Sequence, residues 1–100
     1  MQSITAAILR QKLAAGEDIQ LIDVREPYEH AAFNIGGLLI PLGEIGRQLD
    51  QIAKDKPVVI YCHRGIRSQI AIQRLQEKFP FTNLINLIGG MDAWQKEPGI

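Results

Sequence analysis

The chain contains 100 residues, of which 46% are hydrophobic and 22% charged, and its 11 basic and 11 acidic side chains give a formal net charge of zero. This length and composition favour one globular domain over residues 1–100, without metal or disulfide staples. The charge balance argues against a nucleic-acid partner or a basic membrane-binding surface, and no apolar stretch approaches the ~20 residues that span a bilayer. The single cysteine cannot form an internal disulfide, and residues 1–5 lack signal-peptide features, so a cytoplasmic location is expected.

Helix and strand patterns alternate along the chain. In chain order, the expected elements are a helix that ends near Gly16, a strand over residues 19–24, a short helix over 28–33, a strand over 38–40, a helix over 42–53, a strand over 58–61, a helix over 66–79, a strand over 84–88 and a short helix around 91–94. Thr5 or Ser3 can cap the first helix, and Pro27 suits the first turn of the second. Strands without polar alternation, separated by helices, predict an α/β fold with a parallel sheet and helices on both faces.

The most informative segment joins the strand over residues 58–61 to the helix over residues 66–79. Its sequence is Cys62-His63-Arg64-Gly65-Ile66-Arg67-Ser68. A buried strand therefore places the only thiol in a short loop whose far side becomes a helix N-terminus. Backbone N–H groups at such an end lack intrahelical partners, and the helix dipole adds partial positive charge. This arrangement, with two arginines in the same loop, suits an anionic sulfur or an anion attached to it.

A lone intracellular cysteine is most often a small buried hydrophobic residue without a chemical role. Cys62, however, is followed by a basic loop that contains glycine, and inert core thiols rarely occupy such a setting. The surroundings therefore predict a reactive Cys62. Backbone N–H groups of residues 63–68, folded around the sulfur, would stabilise its anion, and Gly65 gives the backbone the freedom that a tight loop needs.

A second group of polar residues follows the strand over residues 19–24. Ligands of parallel sheets bind beyond the carboxyl ends of the strands, and both Asp23 and Cys62 lie at such ends. We therefore expect Asp23 and Arg25 to brace the rim of the site. Asp23 can accept backbone or arginine hydrogen bonds, with Arg25 and Arg67 as candidate partners. His30 and His63 have no ligand-spaced partners, so no metal site is expected.

Three blocks of the sequence resemble the rhodanese family of sulfurtransferases, in particular its small single-domain members. They are Leu21-Ile22-Asp23-Val24-Arg25-Glu26, the Cys62-x-x-Gly65-x-Arg67-Ser68 loop and Leu87-Ile88-Gly89-Gly90-Met91-Asp92-Ala93-Trp94. Their order and spacing also match, from about residue 4 to residue 94. One departure is the segment 32–37, which stands where many relatives carry Gly-His-Ile-x-Gly-Ala, so no histidine role transfers to that segment.

The resemblance implies a three-layer α/β rhodanese domain and a two-step sulfur transfer without a cofactor. The Cys62 thiolate would take a sulfane sulfur from a small anionic donor such as thiosulfate and pass it from a persulfide to cyanide, a thiol or another thiophilic acceptor. A sulfur carrier that serves a protein acceptor is an alternative.

The resemblance suggests a role for Arg67, while those of Arg64 and His63 are expected from their positions in the loop. Arg67 would bind the donor's sulfonate or sulfite oxygens, with a structural tie to a nearby carboxylate as its alternative. Arg64 would steer anions or remain solvated. His63 would contact the acceptor or partner rather than transfer a proton.

Two other classes of function compete with this interpretation. Phosphatases and arsenate reductases of related folds generally place one more residue between cysteine and arginine than the four here, His63 to Ile66. A shorter loop forms a smaller cradle, which fits sulfur better than a tetrahedral phosphate. A non-catalytic rhodanese-like binding module would need none of Cys62, Gly65 and Arg67.

Overall fold

A parallel sheet of five strands forms the centre of the protein, in a computed structural model that describes residues 1–98. The strands are β1 (Gln2–Ile4), β2 (Gln20–Asp23), β3 (Leu38–Leu39), β4 (Val58–Tyr61) and β5 (Leu84–Leu87). The helices are α1 (Ala6–Ala14), α2 (Pro27–Ala32), α3 (Ile66–Lys78) and α4 (Gly90–Lys96), with two 3₁₀ helices at Leu42–Arg47 and Leu49–Gln51. The strand order is β1-β5-β4-β2-β3, which places β4 in the middle of the sheet. The predicted α/β fold with a parallel sheet is confirmed.

Two apolar clusters cover the two faces of the sheet. Successive side chains of β4 point to opposite faces, so Val58 and Ile60 join one cluster while Val59 and Tyr61 join the other. The first cluster packs against α3 and the 3₁₀ helices, and the second against α1 and α4. Every residue of β4 is buried, which explains its continuous apolar run. Helices therefore cover both faces, as the sequence predicts.

The register of β2 and β4 places two chain segments side by side at one rim. Asp23 of β2 pairs with Tyr61 of β4, so both strands reach their carboxyl ends together. The N–H of Val24 then donates to the carbonyl oxygen of Tyr61 at 3.0 Å and extends this pairing by one residue. The segment around Arg25 and the loop that starts at Cys62 therefore leave the sheet as neighbours.

The helix expected over residues 42–53 is wrong in type. The segment forms the two 3₁₀ helices, which are separated at Gln48, where the backbone (φ −119°, ψ 31°) is neither helical nor extended. Gly43 and Gly46 lower the α-helical propensity of the segment, and its tighter turns still bury Ile45 and Ile52. Hydrophobic spacing therefore identified the buried residues but not the kind of helix.

The edge strand β1 has no counterpart among the expected elements. It pairs in parallel with β5 and buries one side chain, Ile4, so it carries no alternating pattern that sequence reading can detect. Ser3 lies within this strand. Thr5 is therefore the cap of α1, and its hydroxyl oxygen accepts a hydrogen bond from the N–H of Ile8 at 3.2 Å. In the described part of the chain, no helix is long and apolar enough to cross a bilayer.

Candidate functional site

The thiol of Cys62 lies directly beyond the carboxyl end of β4, at the base of a pocket. Its residue is 1% exposed, and the cysteine is free. The pocket has a volume of about 190 Å³, and its lining residues are Cys62, His63, Arg64, Ile66 and Arg67. All five belong to the loop that the sequence singles out.

Two backbone amides donate to the sulfur. The N–H of Gly65 lies 3.0 Å from Sγ, and the N–H of Ser68 lies 3.4 Å from it. The Ser68 hydroxyl oxygen also lies 3.4 Å from Sγ. Amides from the whole loop were expected around the sulfur, but the backbone hydrogen bonds to it in the described structure come from these two residues. Both belong to the start of α3, where N–H groups lack intrahelical partners.

Gly65 makes the tight loop possible because it adopts a left-handed backbone conformation, φ 92°, at the N-cap of α3. Residues with a Cβ rarely adopt this conformation. A Cβ at this position would also lie 3.2 Å from the N atom of Gly89 and 3.3 Å from the carbonyl oxygen of Leu87. The glycine therefore serves both the turn and the close approach of the β5–α4 connection.

The first turn of α4 holds the other side of the loop. The N–H of Met91 donates to the carbonyl oxygen of Cys62 at 2.9 Å, and the N–H of Asp92 donates to that of His63 at 2.9 Å. Gly90, φ 54°, allows this approach, since a Cβ there would collide with both carbonyl oxygens. With these carbonyls directed to α4, amides of the same loop are free to face the sulfur. The Gly89-Gly90 block was recognised in the sequence, but the contact between α4 and the cysteine loop was not expected.

Asp23 is a fully buried carboxylate that ties the rim together. Its Oδ1 accepts from the backbone N–H and Nε of Arg25 at 3.0 and 2.9 Å, and its Oδ2 accepts from Nη2 of Arg25 at 2.8 Å. Nδ1 of His30 lies 2.9 Å from the same Oδ2. These contacts compensate the cost of burying the charge. The expected pairing of Asp23 with Arg25 is present, the alternative pairing with Arg67 is not, and His30 is a member that sequence reading missed.

The Arg67 guanidinium forms a two-pronged ion pair with Glu29 of α2. Nη1 and Nη2 donate to Oε1 and Oε2 at 2.7 and 2.9 Å. These hydrogen bonds lower the pKa of Glu29 to about 2, from an ordinary value of 4.5, and Glu29 in turn raises the pKa of Arg67. Arg67 thus occupies the structural role that the sequence analysis gives as its alternative, while it still lines the pocket.

The mouth of the pocket is basic and partly apolar. His63 and Arg64 are exposed, as is Ile66, with 68% of its surface accessible. These three residues line the same pocket as Cys62. Arg64 therefore contributes positive charge to the surface of the pocket that contains the sulfur.

Beside the sulfur, Ser68 donates its hydroxyl hydrogen to Oδ1 of Asn86 on β5, at 2.5 Å. Both side chains are buried. Asn86 is not among the residues expected at the site. A polar residue inside an apolar strand is nevertheless a signal, because it needs a buried partner.

Comparisons with known proteins place these features in a family. The family description "Rhodanese-like domain" matches residues 5–97. A sulfurtransferase of Allochromatium vinosum is 37% identical over 97 residues, which cover 96% of this chain and 90% of that protein. All three sequence blocks that resemble the family lie inside the matched region.

A second relative is longer than this chain, and a solved structure has a similar fold and length. The putative sulfur carrier protein YrkF of Bacillus subtilis is 34% identical over 92 residues, which are 91% of this chain and 49% of YrkF, so this chain spans about half of that relative. A rhodanese-related protein from Thermoplasma volcanium has a TM-score of 0.86 at 29% identity and covers 100% of this chain and 96% of its own.

Proposed function

The chain belongs to the rhodanese family, and from that premise we propose that it moves sulfane sulfur from an anionic donor such as thiosulfate, through a persulfide on Cys62, to cyanide or another thiophilic acceptor. Its relatives carry the names sulfurtransferase and sulfur carrier, so sulfur transfer is the class of chemistry that homology supports. The observation that carries the finer proposal is the position of the sulfur, at the base of a basic pocket with two amides directed at it.

The first step transfers sulfur to the enzyme. The Cys62 thiolate attacks the outer sulfur of thiosulfate, a new S–S bond forms, the old S–S bond breaks, and sulfite leaves with the bonding electron pair. The product is a Cys62 persulfide anion, and the total charge is unchanged. The amides of Gly65 and Ser68 stabilise the sulfur anion, by analogy with oxyanion holes, in which one donor is worth roughly 3 kcal/mol.

The second step returns the enzyme to its starting state. A nucleophile such as cyanide attacks the outer persulfide sulfur, thiocyanate leaves, and the Cys62 thiolate forms again. These 100 residues contain one cysteine, so no second thiol within them can attack the persulfide.

The oxygen atoms of thiosulfate bind to the basic side chains of the pocket. A guanidinium carries five N–H donors, and Glu29 takes two of those on Arg67. The remaining N–H groups of Arg67 are available to the sulfonate group of the sulfur donor, while Arg64 and His63 attract this anion to the mouth of the pocket.

A persulfide carrier for a protein acceptor is the second candidate. It is favoured by the exposed apolar side chain of Ile66 on the pocket wall and of Tyr28 on α2, 75% accessible, since isolated small anions need no apolar contact. YrkF, a relative of this chain, is named a putative sulfur carrier. Cytoplasmic location is part of the proposal, on the ground that the reacting thiol has no disulfide partner.

Mass spectrometry tests the proposal directly. Incubation with thiosulfate should add ~32 Da, one sulfur atom, to the Cys62 peptide, and cyanide should then remove it as thiocyanate. Cys62→Ser should retain the fold and take up no sulfur. A wild-type chain that acquires no sulfur from thiosulfate, or from a persulfide donor, would contradict the proposal, and release of phosphate from an aryl phosphate without sulfur transfer would favour phosphatase chemistry.

A further inference from the structure

Ser68 and Asn86 form a buried polar pair beside the thiol whose role the transfer steps above do not explain. Ser68 is 0% exposed and Asn86 is 4% exposed. The Ser68 oxygen lies 2.5 Å from Oδ1 of Asn86 and 3.4 Å from Sγ of Cys62. A continuous chain of polar contacts therefore runs from β5, through the first turn of α3, to the sulfur.

Valence fixes the direction of these hydrogen bonds. The Asn86 carbonyl oxygen can only accept, so the one hydroxyl hydrogen of Ser68 points at Asn86. The Ser68 oxygen then presents lone pairs to the sulfur. Lone pairs suit a thiol, which donates its S–H hydrogen, but they repel an anionic sulfur at 3.4 Å. Loss of the thiol proton therefore favours rotation of the hydroxyl towards the anion.

We propose that Ser68 and Asn86 are positioning residues that set how readily Cys62 ionises: the Ser68 hydroxyl donates to Asn86 while Cys62 is a thiol and to the sulfur once it is an anion. The thiol proton leaves to solvent through the pocket, Ser68 keeps its own proton, and no covalent bond changes except S–H. Asn86 competes with the sulfur anion for the same hydroxyl hydrogen. The inference rests on the proposed function in that the anion of Cys62 is the reacting species.

Charged and titratable groups of the loop and of the neighbouring helices also lie near this sulfur. Arg67, Arg64 and His63 come from the loop itself, and Asp92 of α4 lies near the latter two. From α2, Glu29 pairs with Arg67, and Tyr28 lies near the same arginine. From β5, the neighbour is the neutral Asn86. None of the charged residues changes in the variants below, so their effect on the thiol is the same in each protein.

The experiment measures the rate of Cys62 alkylation by iodoacetamide as a function of pH, with no sulfur donor present. Ser68→Ala removes the rotating donor, and the midpoint of the profile should move up by about one pH unit, a tenfold loss of anion that equals about 1.4 kcal/mol. Asn86→Leu removes the competing acceptor, so its midpoint should move down. The double variant should match Ser68→Ala, because Asn86 acts only through the hydroxyl.

A structural role alone would not give shifts of opposite sign. Ser3→Ala, on the exposed part of β1, is the matched control and should leave the profile unchanged. An unchanged midpoint in Ser68→Ala, an upward shift in Asn86→Leu, or an Asn86→Leu shift that persists without Ser68 would overturn the inference. If Asn86→Leu fails to fold by circular dichroism, Asn86→Ala replaces it, and a midpoint that does not fall in Asn86→Ala would overturn the competition between Asn86 and the sulfur.

The alkylation profile tests this inference separately from sulfur uptake, which tests the proposed function. A wild-type protein that accepts sulfur from thiosulfate, with an unchanged profile in Ser68→Ala, would remove this inference and leave the transfer intact. The expected shifts without any sulfur uptake would do the reverse.

Discussion

Arg67 and Glu29 connect the cysteine loop to α2 through two hydrogen bonds, 2.7 and 2.9 Å long. Because Glu29 belongs to α2 and Arg67 to the first turn of α3, this one contact fixes a wall of the pocket relative to the rim. The same contact keeps the carboxylate charged far into the acid range, since the pKa of Glu29 falls to about 2.

The ion pair predicts how stability depends on pH. The pKa of Glu29 is lower in the folded protein than its ordinary 4.5, so its contribution is complete above about pH 5 and is lost as the pH falls towards 2. We expect Glu29→Gln to lower the free energy of unfolding by ~1–2 kcal/mol at neutral pH, a range reduced for the partial exposure of Arg67. Urea unfolding at several pH values checks this, and the wild type and variant should converge near pH 2. A constant difference across the range would contradict the assignment.

Arg67 and Glu29 should differ in their effects on sulfur donors. Arg67→Ala removes both the ion pair and the donor's guanidinium contact, so kcat/KM should fall about tenfold more for thiosulfate than for an uncharged donor such as an organic trisulfide. Glu29→Gln is the matched control, because it breaks the charged pair but leaves the guanidinium in the pocket. Equal losses for both donors in Arg67→Ala would assign this arginine to structure alone.

Gly90 offers a test of the contact between α4 and the loop. A methyl group at this position collides with the carbonyl oxygens of Cys62 and His63, so Gly90→Ala should cost roughly 2–4 kcal/mol of stability and lower sulfur loading of Cys62. Gly43→Ala provides the control, since a Cβ there meets no atom within 4 Å. Denaturant unfolding and mass spectrometry measure the two effects. Normal loading in a folded Gly90→Ala variant would show that the α4 contact is not needed to form the site.

Arg64 should act through its charge at the mouth of the pocket. Arg64→Ala is expected to raise the KM for thiosulfate about threefold at low ionic strength, with little change in kcat. The difference should disappear near 1 M salt, where the screening length is about 3 Å. Arg74→Ala, an exposed arginine further along α3, is the control. A salt-independent increase would mean that Arg64 contacts the donor directly.

The sheet and the cysteine loop could be predicted from the sequence because their signals are local. The buried run of β4 gives way at once to a basic segment with glycine, and the glycine is needed where the chain adopts a left-handed turn. The position of Asp23 followed from a general property of parallel sheets, whose strands end at a common rim.

The contacts across the site could not be predicted in the same way. Glu29 and Arg67 are 38 positions apart, and Ser68 and Asn86 are 18 positions apart. Each of these residues is ordinary within its own segment. Glu29 is an acidic residue at a helix start, Arg67 and Ser68 are polar loop residues, and Asn86 is a polar residue in a strand. Their pairing depends on how α2, α3 and β5 pack around the rim, and a single sequence carries no periodic signal for that packing.

The hydrogen bonds from α4 to the carbonyl oxygens of Cys62 and His63 also have a consequence for biosynthesis. The ribosome synthesises the central strand and α3 before β5 and α4. Until those last elements fold, the peptide groups around the thiol have no partner to hold them in place. The surroundings of the Cys62 thiol are therefore completed only when α4 packs against the loop.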